Sequence, residues 1–175
     1  EYETVQRSQQ TRRRAARSAG HSNAMVTPED VKSYIAAGLE CEVLEVAELD
    51  CDHGLVGDTW EVRRSSRTTD GRAHPDMQLN VMNARAAALV AQDPARWPLA
   101  GDQLYVDLDL SDANLPPGTR LAIGSAVIEV TPQPHTGCQK FVSRFGLDAM
   151  KFVNSPLGKE LHLRGICARV VQPGT

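Results

Sequence analysis

Between residues 104 and 110 the chain alternates strictly, Leu104-Tyr105-Val106-Asp107-Leu108-Asp109-Leu110, with leucine or valine at every even position. A period of two buries one face of a strand and turns Asp107 and Asp109 to water, so the pattern predicts a strand over this whole stretch. Leu121-Ala122-Ile123 and Ala126-Val127-Ile128-Glu129-Val130 flank Gly124-Ser125, which predicts a two-residue hairpin. Val43 to Leu49 and Gly165 to Val171 read as two further strands. Three segments switch to helical spacing. In the first, Thr27 caps, Pro28 suits the first helical position, and Glu29 and Asp30 favour the positive end of the dipole; Val31, Tyr34 and Ile35 form the apolar stripe and Gly38 stops it. The second is alanine-rich Ala84 to Ala91, capped by Asn83. The third is Phe141 to Val153, with Gly146 as its weak point. Short strands, tight turns and a few interposed helices predict a mainly β, α+β domain whose sheet closes into a β-barrel or curls on itself.

Composition narrows the function classes. With 41% hydrophobic and 23% charged residues in 175, the chain is an ordinary globular domain rather than a disordered one. No apolar run approaches the ~18 residues of a membrane span. Aromatics at 5% and a net charge of −3 argue against a nucleic-acid binder. Cys41, Cys51, Cys138 and Cys167 form no C-x-x-C pair and no disulfide framework, and there is no N-x-[ST] acceptor, so a reducing cytoplasm is the expected compartment. Residues 1–24 carry Arg7, Arg12, Arg13, Arg14 and Arg17 but no hydrophobic core of a secretory signal. Ser22-Asn23-Ala24 before Met25 resembles the remnant of a cleaved expression tag. The expected division is a polar, arginine-rich tail over 1–24 and one domain over 25–175.

The chain holds no G-x-x-x-x-G-K-[ST], G-x-G-x-x-G, H-E-x-x-H or G-x-S-x-G motif, which lowers the odds of nucleotide hydrolysis, dinucleotide redox, zincin and α/β-hydrolase chemistry. One segment draws the eye: Pro134-His135-Thr136-Gly137-Cys138-Gln139-Lys140-Phe141, between a strand and a helix. A helix start and the basic neighbours His135 and Lys140 each favour thiolate over thiol at Cys138. A thiolate there acts as nucleophile, carries a persulfide or ligates a soft metal; a buried, inert cysteine is the competing reading. Arg63, Arg64, Arg67 and Arg72 crowd into ten residues, a composition suited to clamping a phosphate or simply to a solvated surface. His74, Asp76, Gln78, Asn80 and Asn83 follow as a polar run able to hydrogen-bond a heterocycle. Cys51-Asp52-His53 lacks metal-binding partners at useful spacing, and Cys41 and Cys167 read as packing residues.

The order of these features resembles the MOSC domain, named from the C-terminal domain of eukaryotic molybdenum cofactor sulfurase. The resemblance spans roughly residues 42–173 and rests on Gly54-Leu55-Val56-Gly57-Asp58, the arginine loop, His74-Pro75-Asp76-Met77-Gln78-Leu79-Asn80, Gly101-Asp102-Gln103-Leu104, the 121–130 hairpin and Pro134 to Phe141. It implies a closed or partly open β-barrel of the pyruvate-kinase-barrel type and a pocket for the molybdenum cofactor, molybdopterin. It implies that Cys138 is the molybdenum ligand or sulfur-handling thiol, catalytic in either role. Arg64, Arg67, His74, Gln78, Asn80, His135 and Lys140 become the cofactor-binding candidates. Some relatives reduce N-hydroxylated small molecules with electrons from a separate reductase, so a lone domain needs an outside electron or sulfur donor protein. The alternatives are a non-catalytic carrier of persulfide or cofactor, and an interaction domain with no bound metal.

Overall fold

A computed structural model describes residues 46–175. The helix expected over 27–38 and the first half of the strand expected over 43–49 lie outside them. Five strands form one open sheet in the order β4-β3-β7-β6-β5, where β3 is Leu79–Asn83, β4 Leu104–Val106, β5 Arg120–Ile123, β6 Ala126–Val130 and β7 Ile166–Gln172. A small antiparallel pair, β1 (Leu49–Asp50) and β2 (Gly54–Leu55), sits beside it and bridges to the C-terminus through Leu49 and Gly174. All pairings in the large sheet are antiparallel except β3 with β4. Parallel neighbours need a crossover, and α1 (Ala84–Ala91) with the 3₁₀ segment Pro94–Ala100 supplies it. The outcome is a mixed α+β fold with a curled half-barrel sheet; among the described residues β4 and β5 do not meet, so the sheet is not closed.

The period of two sorts the chemistry onto two faces. Leu79 and Val81 of β3, Ala126, Ile128 and Val130 of β6, and Ile166, Ala168 and Val170 of β7 join Leu49, Leu110 and Leu115 in the main core. The opposite face carries Asn80, Met82, Glu129, Cys167 and Arg169, and register sets Asn80 opposite Cys167 and Glu129 opposite Arg169. Met82 extends that face into a second cluster with Ala86, Ala87 and Ala100 under Trp97, Tyr105, Phe145 and Leu163.

Local signals explain most elements. The Asn83 side chain accepts from Ala86 N at 3.0 Å, capping α1 as its sequence predicts. Gly124-Ser125 closes the β5–β6 hairpin, with Gly124 at φ +57. Three expectations change. Of the strand expected over 43–49, only Leu49 among the described residues lies in a strand, β1. The alternating strand ends at Val106 instead of Leu110, because the chain turns: Asp109 caps the Ser111 amide and Asn83 takes the Leu108 carbonyl. The helix over 141–153 becomes two, α2 (Gln139–Phe145) and α3 (Leu147–Val153), broken at Gly146, whose φ of +88 no other residue type adopts easily. A short α4 (Pro156–Glu160), capped by Ser155, follows before the chain enters β7. No helix of the described residues is long and apolar enough to cross a membrane.

Candidate functional site

The centre of the site is a buried charge cluster. Asp102, just before β4, is fully enclosed, and its two carboxylate oxygens lie 2.8 and 2.7 Å from Nη1 of Arg164. Arg164 precedes β7; its Nη2 donates to the Ala100 carbonyl at 2.9 Å and its guanidinium lies 5.0 Å from the centre of the Phe141 ring. Buried charges are tolerated when paired and hydrogen-bonded, and this pair meets both conditions. His135 completes the cluster, with Nε2 2.9 Å from Asp102 Oδ1. An ionised carboxylate only accepts, so the hydrogen-bond pattern assigns the ring proton to Nε2. Burial, helped by the charges of Arg164 and Arg67, outweighs the pull of Asp102 and lowers the His135 pKa below its ordinary 6.5. The ring is therefore neutral at neutral pH.

Three residues on, Cys138 is held at the surface by a fixed loop. Thr131 Oγ1 donates to the Asp76 carbonyl at one end of it. At the other, the Asn154 side chain bonds both the amide and the carbonyl of Gly137, at 2.8 and 2.9 Å. A Cβ on Gly137 would lie 3.1 Å from Val153 and 3.2 Å from Met150, so this close approach is tight for any larger residue. Cys138 then opens α2 in extended conformation, its carbonyl accepting from Val142 N at 3.0 Å. Partial burial pushes the thiol pKa up, but the backbone N–H groups of Phe141 and Lys140 and the charge of Arg164 together bring it below the ordinary 9.0. An exposed thiol biased toward thiolate is a nucleophile and a soft-metal ligand.

The arginine loop reaches the same place. Arg67 Nη1 extends to within 3.4 Å of both Gln133 Oε1 and the Pro134 carbonyl, bringing its charge beside the cysteine loop. These long contacts leave the guanidinium's fork open for an anion. Asn80 and Cys167 face each other on the side of the sheet opposite the main core, with Sγ 3.5 Å from Oδ1. Burial pushes the Cys167 thiol up to about 11, so it packs rather than reacts. Lys140 stands exposed in the first turn of α2.

Gln78, His74 and Arg63 are engaged elsewhere. Both ends of the buried Gln78 amide bind backbone: Nε2 donates to the Cys51 carbonyl at 2.6 Å and Oε1 accepts from Val170 N at 2.7 Å. His74 caps the short 3₁₀ turn Pro75–Met77 through Nδ1. Arg64 stands exposed in its loop. Arg63 is drawn back to Asp58 at 2.9 Å. Sequence reasoning singled out neither Asp102 nor Arg164 as a site residue. Arg164 did carry a signal, a lone cation opening the apolar run Gly165-Ile166-Cys167-Ala168. Among the described residues no group of three or more His, Cys, Asp or Glu converges as a metal cage.

No family model matches the chain, and no curated protein matches it. Four solved chains are similar. A crystal structure of a hypothetical protein superposes with TM-score 0.50 and 25% identity, over 73% of this chain and 55% of its own length. The YUAD protein from Bacillus subtilis gives TM-score 0.45 and 17% identity, over 73% and 78%. This chain thus spans little more than half of the first structure, whose likeness supports the mixed α+β, curled-sheet fold.

Proposed function

We propose that this chain is a MOSC-type protein of the cytoplasm that binds the molybdenum cofactor, molybdopterin, with Cys138 as the thiolate ligand of molybdenum. The observation that carries the reading is the exposed Cys138 thiol, lowered in pKa, beside the buried Asp102–Arg164–His135 cluster. The donor set fits the group. A thiolate suits a soft transition metal, and a single protein ligand requires no cage of His and carboxylates. Arg67, with its guanidinium only loosely engaged, would hold the cofactor's phosphate, with Asn80, Lys140 and the exposed Arg64 as further polar contacts. In this reading the curled sheet is the wall of a pyruvate-kinase-type barrel.

When bound, the group supplies two-electron oxo-transfer chemistry. The residues of this chain position it and shape its surroundings. The Asn154 clamp on Gly137 fixes where Cys138 stands, and the Phe141 and Lys140 backbone amides, with the Arg164 charge, favour its thiolate form. Gln78 and His74 act one layer away, holding the polar run in place through backbone contacts. The substrate class is N-hydroxylated small molecules: an amidoxime takes two electrons and two protons and gives an amidine and water, the electrons coming from a separate donor protein.

The test is reduction of benzamidoxime by a chemically reduced viologen with protein from a cofactor-competent host. Turnover in the wild type and its loss in Cys138→Ser support the reading. Equal turnover in both would contradict it. No turnover, with a persulfide trapped at Cys138 after exposure to a sulfur donor, would favour the carrier reading, which the same exposed thiol also fits.

A further inference from the structure

The cleft next to the charge cluster has chemistry of its own. It encloses about 270 Å³, close to the lower end of the ~300–1,000 Å³ usual for small-molecule pockets. Pro134 and Val153 give it apolar walls, and His135, Lys159, His162 and Arg164 give it polar edges.

Orientation of the His135 ring decides what it offers there. Nε2 is turned to Asp102, and Gly165 packs against the Cδ2 edge, where an added Cβ would lie 3.2 Å away. The opposite edge, with Nδ1, therefore points away from Gly165. Nδ1 has no hydrogen-bond partner among the described residues, and with the proton on Nε2 it is an acceptor. Arg164, only 8% exposed at its side chain, also borders the cleft, and its Nε is buried without a partner among the described residues.

Charge sets the rest. Asp102 balances Arg164, and Asp112 Oδ1 lies 3.1 Å from His162 Nε2. Lys159 of α4 has no ion-pair partner among the described residues, so its ammonium is free to meet an anion at the edge of the cleft.

We propose that this cleft binds a small organic acid. Its apolar body packs on Pro134 and Val153, its carboxylate faces Lys159, and an N–H or O–H group donates to His135 Nδ1. The site goes beyond the cofactor reading and requires neither metal nor pterin.

Calorimetric titration of the protein as purified tests it with three probes: 4-hydroxybenzoate, which offers both features, benzoate, which lacks the donor, and 4-hydroxybenzamide, which lacks the charge. The expected result is saturable binding of 4-hydroxybenzoate, about tenfold tighter than either analogue, or about 1.4 kcal/mol. Lys159→Met, with folding checked by circular dichroism, should lose the preference over the amide and keep the preference over benzoate. The absence of saturable heat with 4-hydroxybenzoate, equal affinity for all three probes, or an unchanged preference over the amide in Lys159→Met would each overturn the proposal. Heat is read rather than turnover, so failure of the molybdenum reading leaves this result standing, and the reverse holds too.

Discussion

Arg164 and Asp102, 62 positions apart in the chain, meet in the interior with one guanidinium nitrogen within hydrogen-bonding distance of both carboxylate oxygens. Asp102 also takes the His135 ring, so three segments that have little else in common are tied at one carboxylate. The pair holds the entry to β7, the start of β4 and the cysteine loop in register with one another.

Removing one partner leaves the other buried and unpaired. Arg164→Leu should therefore destabilise the fold by about 3–5 kcal/mol, the range measured for broken buried pairs. Urea denaturation of the variant and the wild type checks this. A loss within the error of the wild-type value would mean that the cluster does not hold these segments together.

The lowered pKa of His135 makes stability depend on pH. The unfolded ring binds a proton near 6.5, whereas the folded ring resists it, so the unfolded state holds more protons below that value. The contribution is complete above about 6.5 and declines as pH falls below it toward the folded value. His135→Asn should flatten the slope of unfolding free energy over that interval. A slope identical to the wild type would show that His135 is not the group responsible.

Cys138 should alkylate first. At neutral pH iodoacetamide should modify it well before buried Cys167, whose thiol is pushed up to about 11. Arg164→Met should slow the Cys138 reaction and move its pH profile upward, because the variant removes a charge that favours thiolate. Peptide mapping by mass spectrometry reads both effects, and modification of Cys167 at a rate matching Cys138 would contradict the burial and charge argument.

Gln78 separates a positioning role from direct contact with a cofactor. Gln78→Leu strips partners from the Cys51 carbonyl and the buried Val170 amide, and should cost about 1–3 kcal/mol in stability. Thermal and urea unfolding measure the loss. An unchanged stability would return Gln78 to the list of residues free to bind a ligand.

Elements with complete local signals were legible in the sequence. The hairpin over 121–130 combines alternation with a glycine-serine turn, and α1 has both its cap and its alanine face in adjacent residues. The strand over 104–110 was read four residues too long because alternation does not reveal where a neighbour ends; past Val106 no strand pairs with it, and side chains of Asn83 and Asp109 claim the backbone. Gly146 was visible as a weak point, but its effect, two helices in place of one, depends on a left-handed φ that composition does not show. The cysteine loop was legible because its chemistry is contiguous, from His135 to Lys140. The Asp102–Arg164 pair was not, since neither residue has a partner nearby in sequence. Arg67 likewise meets Pro134 only through the fold, 67 positions away.

Molybdenum and pterin content tests the central claim most directly. Wild type and Cys138→Ala, purified side by side from a cofactor-competent host, would be assayed for metal by mass spectrometry and for the oxidised pterin by fluorescence. The wild type is expected to carry near-equimolar metal and pterin, with the metal lost from the variant. Neither metal nor pterin in either protein, both being folded, would contradict that claim.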